Sequence, residues 1–192
     1  ESSFGYLGDM GALPPSLSDL VVAQTPAFNT ATFLKVGMGW NGPYLRDAEF
    51  FSGEELKDAW GESLVYATTT SGGFLATAVI RSKGPDKIAN TSDDIVSETI
   101  QARGTLKLYL WKDSSKNIPP TAVGRLYFSN NGAESFIDGT WVSGQPEPED
   151  HFFFSSVPAG PHAFQLFKEK EPPIEVMVAT IRIHPVIENV IK

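Results

Sequence analysis

Apolar and polar residues alternate along the second half of the chain. From Thr105 to Trp111 every second residue is a leucine, which is the period of two expected of a β-strand with one buried face. Comparable segments, separated by turns rich in Asn, Asp, Gly and Pro, are 125–129, 135–137, 152–157, 163–167 and 176–183. Short strands at near-regular intervals without helical periodicity predict a small β-sandwich over residues 99–192.

The first half of the chain mixes helical and extended patterns. Residues 1–12 have the apolar spacing of a helix end closed by Gly11, and Ser16 or Ser18 can cap a short helix that ends before Pro26. The stretch 36–61, dense in Gly and aromatic residues, predicts an ordered loop. The β-branched segments 63–70 and 73–82 flank a turn containing two glycines and predict an antiparallel hairpin. The predicted fold class is therefore α+β, with residues 1–98 and 99–192 as two domains.

Net charge and cysteine content exclude several classes of function. Of the formal net charge of −8, residues 1–98 carry −7, because they hold 13 acidic against 6 basic side chains. An acidic chain without a basic stripe repels phosphate backbones, which argues against nucleic acid as a partner. The absence of cysteine excludes disulfides, thiol catalysis and Cys-ligated zinc.

The loop 84–94 is the main candidate for a metal-binding site. Asp86, Asp93 and Asp94 lie within nine residues, and adjacent carboxylates repel unless a cation lies between them. Calcium takes six to eight oxygen ligands from carboxylates and carbonyls, which such a loop can supply, although the spacing is not that of an EF-hand. The alternative is that Asp and Asn favour turns by hydrogen-bonding their own backbone.

A series of motifs in the first half of the chain bears on this choice. The motifs are Tyr6-Leu7-Gly8-Asp9-Met10-Gly11-Ala12-Leu13-Pro14, Gly39-Trp40-Asn41-Gly42-Pro43-Tyr44-Leu45, Asp58-Ala59-Trp60-Gly61, Tyr66, Ser82-Lys83-Gly84-Pro85-Asp86 and Asp93-Asp94-Ile95. In both order and spacing, over about residues 1–98, this series resembles the major pseudopilins of type II secretion, members of the type IV pilin superfamily.

The resemblance implies a truncated pilin-like head, in which a remnant helix packs on a small antiparallel sheet and a terminal loop binds one calcium ion. The implied ligands are the side chains of Asp86, Asp93 and Asp94 and the backbone carbonyls of Lys83 and Ser97. Lys87 departs from the family, which usually has Gly there, and its ammonium could weaken or replace the metal. Glu98 raises the local count to four acids against Lys87 and favours calcium.

The resemblance also implies a structural role instead of catalysis. The partners would be other pseudopilin or pilin subunits, or secreted cargo. The protein would act on the periplasmic or extracellular face, anchored in the inner membrane by an apolar helix that precedes Glu1 in the full-length protein.

Two other functions stay open. One is an extracellular binding module, an adhesin or carbohydrate-binding protein, for which Trp40, Tyr44 and Trp60 could form a stacking platform; packing against the sheet is the alternative for these rings. The other is an exported hydrolase, although the three histidines lie apart in sequence and Ser155 lacks a nucleophile-elbow context. The segment 154–164 resembles the Val-Pro-Ala-Gly turn of carboxypeptidase-regulatory or transthyretin-like sandwiches.

Overall fold

The computed structural model describes residues 5–29, 37–45, 51–52, 55–109, 121–142, 151–167, 175–183 and 188–191. Helical structure in these ranges is confined to α1 (Gly5–Met10) and a 3-10 helix (Leu17–Leu20). The strands are β1 (Phe51–Ser52), β2 (Glu55–Leu56), β3 (Val65–Ser71), β4 (Phe74–Ser82), β5 (Ile95–Val96), β6 (Ile100–Gln101), β7 (Arg103–Tyr109), β8 (Val123–Asn130), β9 (Ala133–Asp138), β10 (Thr140–Val142), β11 (His151–Pro158), β12 (Gly160–Phe167), β13 (Glu175–Ile183) and β14 (Glu188–Ile191).

These strands form three larger sheets and one small one. The first sheet has the order β3-β4-β5, with β6 also pairing with β4; the second is β10-β11-β7-β14 and the third is β13-β12-β8-β9. Strands β1 and β2 pair on their own, and every pairing except the parallel β7–β14 pair is antiparallel. The expectation of a β-rich chain with antiparallel sheets is confirmed. The predicted hairpin of residues 63–82 is observed as β3 and β4, with Tyr66 opposite Ile80.

The second and third sheets enclose one hydrophobic core. Its buried residues come from β7, β8, β11 and β12 and from the turn before β8: Leu106, Leu108, Ala122, Leu126, Phe152, Phe154, Val157, Phe164 and Leu166. Three phenylalanine rings form its centre, with Phe154 and Phe164 edge-to-face at 6.3 Å between centroids. Gly124 leaves room for these rings, since a Cβ there would lie 2.8 Å from the ring of Phe164. The strand predicted for residues 105–111 coincides with β7 as far as Tyr109, and its residues 110 and 111 lie outside the described ranges.

Helix α1 joins the first sheet to the third sheet. The Asp9 carbonyl accepts hydrogen bonds from Ser129 Oγ at 2.9 Å and from the Gly39 N–H at 2.9 Å, while the Met10 carbonyl accepts one from Gly132. On another side of the helix Leu7 packs against the cluster of Leu13, Ala78 and Ala102. The helix therefore contacts β8 and β12 of the third sheet as well as the first sheet.

The first sheet and the second sheet follow each other closely around residues 100–103, and the division into two domains at residue 98 stays a prediction. Strand β6 still pairs with β4, the Ala102 N–H donates to the Ala76 carbonyl at 3.0 Å, and β7 begins at Arg103. Across the described part of the chain, no helix has the length and apolarity needed to cross a bilayer.

A buried histidine sits where α1 meets the third sheet. His162 on β12 is 1% exposed, its Nδ1 lies 2.7 Å from the Gly160 carbonyl, and its ring faces Phe128. Its Nε2 has no hydrogen-bond partner among the described residues. Burial lowers the pKa of His162 to about 4, because a charged imidazolium would lose its hydration there.

We expect His162 to make the fold sensitive to acid. The pKa of His162 in the folded state lies below the ordinary value of about 6.5, so the unfolded chain binds a proton at this residue more tightly. The free energy of unfolding therefore decreases as the pH falls toward 4. Between about pH 7 and pH 4.5 the protonation of His162 lowers the free energy of unfolding by roughly 2–3 kcal/mol. Urea unfolding of wild type and His162→Leu at both pH values measures this loss: the difference in unfolding free energy between the two proteins should change by that amount. A difference that does not vary with pH would contradict this assignment.

Candidate metal centre

The loop between β4 and β5 starts from a buried serine. Ser82, 7% exposed, accepts a hydrogen bond from the Gly84 N–H at 3.1 Å and donates to Asp58 Oδ2 at 2.6 Å. The other oxygen of Asp58 accepts from the N–H groups of Trp60 and Glu62. The Ser82 hydroxyl is the main reason that the pKa of Asp58 is lowered. The Asp58–Gly61 motif is thus a turn that holds the first residues of the loop.

Three residues of the loop have a left-handed backbone. Gly84 has φ +68°, Lys87 +63° and Asn90 +68°. Gly84 is required both by its positive φ and by lack of space, since a Cβ there would lie 2.3 Å from the carbonyl oxygen of Asp93. These turns fold residues 84–94 back on themselves, so that the two ends of the loop are in contact.

The predicted carboxylates converge on the hydroxyl of Thr91. Its Oγ1 lies 2.6 Å from Asp93 Oδ1, 3.4 Å from Asp86 Oδ1 and 3.5 Å from Asp94 Oδ1. The Ile88 carbonyl oxygen is 2.9 Å away. A hydroxyl has one proton, so it can donate to only one of these four oxygens at a time. The loop therefore gathers more acceptors around Thr91 than that group can satisfy.

Backbone N–H groups fix each of these carboxylates in place. Asp86 Oδ1 accepts from Ile88 at 2.8 Å, Asp93 Oδ2 from Asp86 at 3.1 Å and Asp94 Oδ2 from Asn90 at 2.9 Å. The Thr91 hydroxyl, followed by the Asp86 N–H, lowers the pKa of Asp93. All three carboxylates are thus oriented by the loop itself.

The cation beside the cluster is an arginine that the sequence analysis did not single out. Arg81 Nη1 lies 3.4 Å from Asp94 Oδ2, and the same guanidinium group donates to the Asn90 side chain. Arg81 is on β4 and pairs with Val96 of β5, so strand pairing places it at the loop. Thr91 was also missed, because a threonine between two turns carries no distinctive sequence signal.

Lys87 does not take the position expected of a substitute for the metal. Its Nζ lies 3.4 Å from Glu62 Oε1, and the Lys83 ammonium lies 3.6 Å from Glu62 Oε2. Glu62 thus binds both lysines of the loop on the side of the Asp58 turn. The Lys87 ammonium, which the sequence analysis expects could weaken or replace the metal, is thus paired with Glu62.

The two backbone ligands implied by the resemblance lie at different places. Lys83 follows directly after β4 and precedes Gly84 at the start of the loop. Ser97 is opposite Ile80: its N–H donates to the Ile80 carbonyl at 2.9 Å, and its Oγ accepts from the Ile80 N–H at 3.0 Å. Lys83 lies three positions beyond Ile80 along the chain, so the two ligand positions are separated by about 10 Å at the usual strand rise. Both carbonyls stay predictions.

The donor chemistry fits calcium, and the arrangement is centred on a hydroxyl. Carboxylate, hydroxyl and carbonyl oxygens are the hard ligands that calcium prefers. As the side chains stand, no group of three or more His, Asp or Glu residues in the described ranges is arranged to hold a metal ion. The Thr91 hydroxyl lies where the three carboxylates meet.

Two of the aromatic residues considered for a sugar platform, Trp40 and Tyr44, are half-buried and pack in one group of rings, while Trp60 is half-buried in the Asp58 turn. Tyr44 meets Tyr6 of α1 at 5.6 Å and Trp40 at 5.9 Å between ring centroids, both edge-to-face. Trp40 Nε1 donates to the Asp19 carbonyl at 3.3 Å. Of the histidines, His151 and His162 are buried strand residues, and His184 lies outside the described residues.

Comparison with known proteins adds no relative. No protein-family model, no curated protein and no solved structure matches the chain.

We predict that Gly84→Ala disrupts the loop. The substitution combines a positive φ with a 2.3 Å clash against the Asp93 backbone. We expect it to cost more than the roughly 1 kcal/mol typical of the backbone effect alone. The matched control is Gly73→Ala, which has φ +82° and open space around its Cβ, so it reports the backbone cost without the clash. Chemical denaturation of both variants measures the difference, and equal losses would contradict the loop geometry.

Proposed function

We propose that this chain is a structural subunit of a type II secretion or related filament system, with residues 1–98 as a calcium-stabilised pilin-like head and an appended β-sandwich. The observation that carries the proposal is the convergence of Asp86, Asp93 and Asp94 on one point of the loop that closes the first sheet. These are the residues that the resemblance implies as side-chain ligands of calcium.

Charge balance supports a divalent ion. Three carboxylates gather around the Thr91 hydroxyl and one guanidinium group, that of Arg81, lies beside them, so the local charge is −2. The two lysines of the loop are paired with Glu62. One calcium ion would neutralise the remaining charge, with Asp86, Asp93 and Asp94 as its ligands.

The proposed ion acts by holding a weakly anchored element. Strand β5 has two residues, and both are exposed, so few contacts keep it against β4. A ligand that binds only the folded state stabilises it by RT ln(1 + [L]/Kd), about 2.7 kcal/mol at one hundred times Kd. A head that works outside the cytoplasm, where calcium is abundant, would gain this stability in place.

Within this proposal α1 is the end of the helix that anchors such subunits, and the subunit functions on the periplasmic or extracellular face. Its partners are other pseudopilins, further copies or secreted cargo. The sandwich is held to the helix through Ser129 and Gly132, so it would project from the filament with a defined orientation.

We expect calcium to raise the melting temperature of the wild-type chain by several degrees relative to chelator, since about 1 kcal/mol corresponds to 2–4 °C at this size. Asp86→Asn and Asp93→Asn should each abolish most of that rise, because each removes a ligand charge. Glu134→Gln on β9 removes one negative charge outside the loop and is the control, which should keep the full rise. Thermal melts in calcium and in chelator give the comparison. No rise in the wild type would count against the ion.

The filament role is tested by titrating the chain with purified pseudopilin heads, in calcium and in chelator, and by screening it in parallel on a glycan array. Saturable, calcium-dependent binding to a pseudopilin head supports the proposal. Binding to glycans alone would favour the extracellular binding module instead, and turnover of ester or glycoside substrates would favour a hydrolase.

A further inference from the structure

Strand β3 is an open edge of the first sheet. Among the described strands it pairs with β4 alone, and six of its seven residues are exposed. In an antiparallel pair, alternate residues direct their N–H and C=O groups away from the partner strand. β3 therefore presents a row of backbone donors and acceptors to the outside.

This edge lacks the charges that the other long edges carry. Edge strands are commonly protected by charged side chains, proline or short length. Strand β9 has Glu134 and Asp138, β13 has Glu175 and Arg182, β14 has Glu188, and β10 has three residues. Strand β3, Val-Tyr-Ala-Thr-Thr-Thr-Ser, has no charge and no proline. Among the described edge strands of four or more residues, it alone is uncharged.

The strand is also unbroken on its open side. The register between β3 and β4 shifts where Thr69 pairs with Thr77 and Thr70 pairs with Leu75, so the extra residue, Ala76, belongs to β4. Bulges protect an edge when they distort the edge strand itself, and this one lies on the neighbouring strand. Valine and threonine also favour extended backbone, so β3 is suited to pair with a further strand.

We propose that β3 pairs in antiparallel fashion with β3 of a second copy across a twofold axis at Thr68, joining two first sheets into one. This register sets Thr68 against Thr68, Ala67 against Thr69, Tyr66 against Thr70 and Val65 against Ser71, so no like charges face each other. Threonine pairs across strands are favourable, and Thr69 Oγ1 and Thr77 Oγ1 already lie 2.6 Å apart within the chain.

The uncharged edge favours a copy over a charged partner. A basic or acidic peptide would find no complementary charge on β3, whereas the same Thr-rich strand matches its pattern residue by residue. Two copies that each carry −8 repel, and a contact made by an uncharged strand adds no further like-charge pair to that repulsion. The contact rests on this edge alone and does not require the filament role or calcium. A contact of one strand pair is small, so we expect a weak, concentration-dependent dimer.

Sedimentation velocity over a range of concentrations in chelator tests the contact. Thr68→Lys and Thr68→Glu place like charges opposite each other across the axis, and each should weaken dimerisation by about fivefold or more. An equimolar mixture of the two variants should restore it, because Lys then faces Glu. Gln101→Lys, on β6 of the same sheet, is the control for added charge and should dimerise like the wild type.

A cysteine variant gives a second measurement, since the chain has no cysteine of its own. On mild oxidation Thr68→Cys should form a disulfide-linked dimer at least about tenfold faster than Gln101→Cys, because directly opposite Cβ atoms lie about 4.5–5.5 Å apart, near disulfide reach. Circular dichroism establishes that each variant is folded. A wild type that stays monomeric at the highest concentration, or a dimer equally strong in both Thr68 charge variants, would overturn the proposal.

Discussion

The loop between β4 and β5 holds three carboxylates close together, and their mutual repulsion is the constraint on which the proposed calcium site depends. Backbone N–H groups orient Asp86, Asp93 and Asp94, so the chain itself fixes the position of the negative charge. The single proton of Thr91 and one contact from Arg81 offset part of that charge. An unbalanced carboxylate cluster is costly for a fold to retain, and a bound cation relieves that cost.

A second feature relates the loop to the rest of the molecule. The end of α1 lies between the first sheet and the sandwich, with Leu7 packed beside Leu13 and Ala78 and the Asp9 carbonyl bound by Ser129. Gly11, with φ +69°, allows this approach, since a Cβ there would meet the Ser129 carbonyl oxygen at 1.6 Å. The two halves of the chain are therefore joined through the helix as well as through the peptide link at residues 102–103.

The strands could be predicted from sequence because alternation is a local property. The leucines of β7 and the β-branched residues of β3 and β4 indicated their strands without any knowledge of the partners. The loop could also be recognised from the sequence, because it contains two adjacent aspartates. What surrounds the loop was not predictable: Arg81 reaches it through strand pairing, and Glu62 binds the two lysines from another turn. Contacts between distant segments follow from the fold, and no spacing rule encodes them.

The most direct test is a crystal structure of the chain grown with calcium, with anomalous scattering used to locate the ion. We expect one anomalous peak, with one oxygen each of Asp86, Asp93 and Asp94 at about 2.3–2.6 Å from it. A map without a peak in the loop, in which the three carboxylates still surround the Thr91 hydroxyl, would contradict it.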